Sequence, residues 1–109
     1  MWMMGIDERL THEIVRRVLS VSKPDRIILF GSAAAGQMTR DSDIDLLVVE
    51  PAPRDARRES VVIGDALRGL GVPFDVIVIG TERFEETKEI FGGIAYPADK
   101  HGKVIYEAA

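Results

Sequence analysis

Apolar positions along this chain recur at two different periods, and the change of period marks out its elements. From Asp7 to about Ser20, Leu10, Ile14, Val18 and Val21 recur at three- and four-residue steps. Glu8, Arg9, Glu13, Arg16 and Arg17 fall off that stripe, which predicts an amphipathic helix with Asp7 as its N-cap. Lys23-Pro24-Asp25 turns the chain into Arg26–Phe30, a short isoleucine-rich run that reads as a buried strand. Ser32 to Gly36 is small and alanine-rich, predicting one or two helical turns, and the polar stretch Gln37 to Ser42 reads as a loop. A second strand is expected over Asp43–Glu50, closed by Pro51-Ala52-Pro53.

The helical period returns over Asp55–Leu70, with Ile63, Ala66, Leu67 and Leu70 on one face and Gly69 and Gly71 as the stop. Phe74–Ile79 is apolar except for Asp75 and predicts a third strand. Thr81 is the expected cap of a helix reaching Phe91, favoured by Glu82, Glu85 and Glu86 in its first turns. Pro97 opens a further short helix that Gly102 ends, and Val104-Ile105-Tyr106 forms a last strand. The order is α-β-α-β-α-β-α-(α)-β, with no repeat, low-complexity stretch or linker. Strands apolar on both faces need cover on both faces. With so few helices, one sheet face is left for another protein or another copy of the chain, so a homo-oligomer stays open.

Bulk properties narrow the class. At 109 residues, 46% hydrophobic and 29% charged, the chain is expected to be one globular domain spanning 1–109. A net charge of -4 argues against a dedicated DNA- or RNA-binding module, which needs excess Lys and Arg to neutralise phosphates. A nucleotide is still allowed, because metal ions can meet its charge. The absence of cysteine excludes disulfides, thiolate metal sites and cysteine nucleophiles. The apolar start Met1-Trp2-Met3-Met4-Gly5 lacks a basic region and a cleavage site, and no run approaches a membrane span. The expected location is cytoplasmic, with no membrane partner.

The chemistry-bearing pattern lies where the first two strands meet. Gly31-Ser32 follows the first strand, and ten residues later Asp43-Ile44-Asp45 opens the second. Side chains alternate along a strand, so Asp43 and Asp45 share one face. Two close carboxylates repel unless a cation sits between them, and hard oxygen donors suit Mg²⁺ or Mn²⁺. If the third strand neighbours the second, Asp75 points at the same place. Three such aspartates can hold two metals about 3.5–4 Å apart, one activating a hydroxyl and one neutralising a leaving group. Gly31 would let the backbone approach a phosphate, with the Ser32 hydroxyl and following N–H groups donating to it.

Gly31-Ser32-x10-Asp43-x-Asp45 with Asp75 resembles the DNA polymerase β-like nucleotidyltransferase superfamily. In particular it is similar to the minimal nucleotidyltransferases paired with HEPN-domain toxins in prokaryotic toxin–antitoxin modules. The resemblance spans nearly the whole chain, including the leading helix and the closing Gly102–Tyr106 segment. It implies an α+β (α/β) nucleotidyltransferase fold, a small mixed β-sheet with helices packed mainly on one face. It further implies that Gly31 and Ser32 hold the triphosphate and that Asp43 and Asp45 bind both metals. Asp75 would bind the catalytic metal and help deprotonate the acceptor. The implied reaction transfers AMP from ATP, with two Mg²⁺ ions (or Mn²⁺), to a hydroxyl such as a tyrosine on a partner HEPN toxin.

Other residues have plainer readings. Arg40 reads equally as a solvated loop residue or a phosphate contact, and Arg54, Arg57 and Arg58 as an exposed helix face. His12 and His101 are expected at the surface, and Trp2, Met3 and Met4 in an exposed tail. The competing function is an antitoxin that neutralises its partner by binding alone. Transfer to a small molecule is less favoured, since related aminoglycoside-modifying enzymes add a substrate domain and this chain ends at Ala109.

Overall fold

The structure, a computed structural model, describes residues 8–31, 34, 43–90 and 92–109. Helix α1 (Glu8–Val21) leads into strand β1 (Arg26–Phe30), and β2 (Ile44–Glu50) follows after the intervening segment. Then come α2 (Ala56–Ala66), β3 (Phe74–Gly80), α3 (Thr81–Thr87), α4 (Ala95–His101) and β4 (Lys103–Glu107). The four strands lie in the order β3-β2-β1-β4. β1 runs antiparallel to both β2 and β4, whereas β2 and β3 are parallel, joined through α2 as a βαβ unit. The expected mixed sheet with helices on it is present.

Strand alternation divides the core in two. Ile44, Leu46 and Val48 of β2 point with Ile27 and Leu29 towards α1 and α2, where they meet Ile14, Val18, Ile63 and Leu67. Leu47 and Val49 point with Ile28 and Ile79 to the opposite face, under Phe84, Ala95 and Ala98. Among the described residues, the first face carries helices of 14 and 11 residues and the second two of 7 each, so cover there is mainly one-sided. Arg17 fastens the two long helices together by donating to the carbonyl oxygens of Ala66 and Arg68 at the end of α2. No helix among the described residues is long and apolar enough to cross a membrane.

Element ends differ from the sequence expectation where tertiary partners compete. The helix expected over Asp55–Leu70 stops at Ala66, and the chain turns through Gly69 and Gly71, both at positive φ. Asp55 caps it as a side-chain acceptor, taking the Arg58 N–H at 3.1 Å. Replacing that acceptor, Asp55→Ala, is expected to cost about 1 kcal/mol, read as a lowered midpoint in urea denaturation. The helix expected from Thr81 to Phe91 ends at Thr87, and its N-cap is Gly80. The Thr81 hydroxyl donates to the Asp25 carboxylate instead, so a contact across the chain displaces the local cap. The last helix starts at Ala95, two residues before Pro97, which fits within a first helical turn because its missing N–H has no intrahelical partner there. Asp7, Phe91 and the tail residues Trp2, Met3 and Met4 lie outside the described residues.

Candidate active site

Four of the residues singled out in the sequence come together at one end of the sheet. β2 and β3 pair in parallel with Asp45 opposite Asp75, so the two carboxylates stand side by side on one face. That face is the thinly covered one, since Leu47 and Val49 follow Asp45 on it. Asp43 lies two residues before Asp45 and is exposed, as is Asp75. The Ile44 N–H donates to the Pro73 carbonyl at 2.9 Å, which clamps the entry of β2 against the entry of β3.

The electrostatics follow from this crowding. Partial burial pushes the Asp45 carboxyl above its ordinary range, and the charges of Asp75 and then Asp43 push it further. Among the described residues, no three acidic or histidine side chains already converge closely enough to grip one ion. The donor set fits a hard divalent ion: carboxylate oxygens from two paired strands, no sulfur, and a protonation equilibrium already strained by negative charge.

Gly31 completes the arrangement from β1. Phe30 pairs with Asp45 across the β1–β2 ladder, so the turn after β1 lies beside that carboxylate. Gly31 adopts φ +69°, and a Cβ there would overlap Asp45 Oδ2 and lie 3.3 Å from Cγ. Only a residue without a side chain lets the turn pass this close. Ala34 beyond it is helical and packs on the α1–α2 core. Ser32 and Arg40 lie outside the described residues.

The sequence did not single out Phe30 or Pro73 as parts of this site. Phe30 is legible in hindsight as the alternate position one before the glycine; the Pro73 contact depends on the parallel pairing and has no local signal. The remaining expectations stand at the surface: His12, His101, Arg54, Arg57 and Arg58 are all exposed.

Residues 12–96 match the family model described as a nucleotidyltransferase domain. The chain belongs to that family. No curated protein sequence matches it. Among solved structures, this nucleotidyltransferase domain is similar to a toxin–antitoxin crystallised with AMP-PNP, at 20% identity and a TM-score of 0.71. The match covers 90% of this chain and 73% of the other. It is similar also to a mutant of the toxin–antitoxin MntA-HpeT, with 17% identity, a TM-score of 0.67 and the same coverages. A nucleotidyltransferase from Sulfolobus solfataricus matches at 22% identity and a TM-score of 0.61, covering 91% of this chain and 78% of that one. These likenesses establish the nucleotidyltransferase fold for the chain.

Proposed function

We propose that this domain is a metal-dependent nucleotidyltransferase that moves AMP from ATP to a hydroxyl, such as a tyrosine, on a partner HEPN toxin, and so acts as its antitoxin. The observation that carries the reading is the pairing of Asp45 with Asp75 beside Asp43, with Gly31 pressed against the same carboxylate. Membership of the nucleotidyltransferase domain family supports the reaction class. The neighbour crystallised with AMP-PNP supports an adenine nucleotide, and the two toxin–antitoxin neighbours support a toxin as partner.

In this reading Asp43, Asp45 and Asp75 hold two divalent ions, Mg²⁺ or Mn²⁺. When bound, these supply charge neutralisation at the triphosphate and a lowered pKa at the attacking hydroxyl. The acceptor oxygen forms a bond to the α-phosphorus as the bond to the pyrophosphate oxygen breaks. Asp75, exposed at the rim, takes the hydroxyl proton. Gly31 and Ser32 seat the triphosphate, with Gly31 giving the backbone its close approach.

Incubation with labelled ATP, Mg²⁺ and the product of the neighbouring gene, followed by intact mass measurement, tests the proposal. A gain of one AMP on the partner is the expected result. If no nucleotide is transferred with either metal while the two proteins still form a complex, protection works by binding alone.

A further inference from the structure

At the other end of β2, and on its other face, sits a second pair of carboxyls that the catalytic reading does not use. Glu50 is the buried charged residue of the described core, at 5% exposure. Its carboxyl accepts a hydrogen bond from the Ser22 hydroxyl, just past α1. The Glu59 carboxyl, in the first turn of α2, lines the same groove beside it, and two carboxyls so placed can share a hydrogen bond only while one holds a proton. Five residues at about 3.3 Å each put this pair roughly 17 Å along the strand from Asp45.

Lys23, Arg54, Asp55 and Arg58 line the surrounding grooves, yet among the described residues no basic side chain lies within ion-pair distance of Glu50 or Glu59. Asp55 is occupied with its helix cap. On the sheet side, Glu50 is paired with the uncharged Gly80. Arg26 of β1 is engaged by Glu85 and Glu107, and Asp25 by Thr81. A groove of about 510 Å³, lined by Leu19, Ser22, Glu50, Pro51 and Glu59 among others, brings solvent to the pair.

We propose that Glu50, Glu59 and Ser22 form a proton-dependent latch between the end of β2, the end of α1 and the first turn of α2. It is shut while the two carboxyls share a proton and released when both are ionised. Burial is the main cause that raises Glu50, and the shared proton with Glu59 adds to it, opposed by the Ser22 hydroxyl; the result is about 7 against an ordinary 4.5. The folded state therefore keeps a proton that the unfolded chain has already lost. Stability from the latch is full below about pH 4.5 and falls away as pH rises through about 7. Glu13, held near 2 by hydrogen bonds from Arg16 and then Arg17, titrates well below this window.

The test follows the Glu50 and Glu59 side-chain carboxyls by ¹³C NMR from pH 4 to 9, with amide exchange in α2 measured at pH 6 and 8. The expected result is a carboxyl midpoint near 7 and a loss of protection in the first turn of α2, about tenfold beyond the intrinsic rate change. Glu50→Gln should flatten the pH dependence. Glu59→Gln should lower the Glu50 midpoint by about one pH unit, and Ser22→Ala should raise it. Those two opposite shifts carry the test if Glu50→Gln does not fold. A Glu50 carboxyl titrating between 4 and 5 would overturn the proposal, as would an α2 whose protection ignores a titration near 7.

Discussion

Asp45→Asn is expected to reduce nucleotidyl transfer at least about a thousandfold, some 4 kcal/mol of lost transition-state stabilisation, while leaving the fold as stable as before or more so. The two effects have one origin. Asp45 is partly buried and faces two other carboxylates, so its charge opposes folding and is tolerated for what it can bind. Asparagine keeps the shape and removes the charge. Transfer measured by intact mass and stability by thermal denaturation should therefore move in opposite directions. Mg²⁺ should raise the melting temperature of the wild type and not of the variant. Transfer within tenfold of wild type would remove Asp45 from the machinery. Loss of transfer with full protection against the toxin would instead favour an antitoxin that works by binding.

Gly31→Ala is expected to lose more activity than stability. The left-handed backbone at φ +69° costs an alanine about 1–2 kcal/mol. The added methyl also displaces Asp45 Oδ2, the movable end of a side chain, so the packing penalty beyond the backbone term is small. Displacement by a fraction of an ångström matters far more to chemistry, where misplacing a reacting group by about 1 Å can cost on the order of a hundredfold. Urea denaturation and transfer rate per folded molecule separate the two contributions. If Gly31 serves only the turn, the folded fraction of the variant will transfer at the wild-type rate.

Much of the candidate site was legible in the sequence because its signals are local. β1, β2 and β3 are short apolar runs closed by Gly or Pro, and alternation along β2 puts Asp45 on one face with Leu47 and Val49; the strand expected from Asp43 begins one residue later, at Ile44. Asp75 stood out as the sole charge in an apolar strand, and the parallel pairing sets it opposite Asp45. What the sequence hid lies in contacts between distant segments. Glu50, placed just before Pro51, reads as a solvated charge ending a strand; it is buried where Ser22, just past α1, and Glu59 of α2 meet it from distant parts of the chain. Thr81 reads as a helix cap and is recruited by Asp25, 56 positions away. The exact ends of α2 and α3 were obscured for the same reason.

The parallel ladder between β2 and β3 has one more consequence. A slip of one position in that ladder would not merely misalign two carboxylates; it would swing Asp75 through the sheet into the oily layer beneath α1 and α2, and throw Val76 and Val78 out of it. Interior valines thus act as proofreaders for a charge pattern they never touch. Substitutions that loosen this layer should give molecules that still fold but carry their acids in the wrong place.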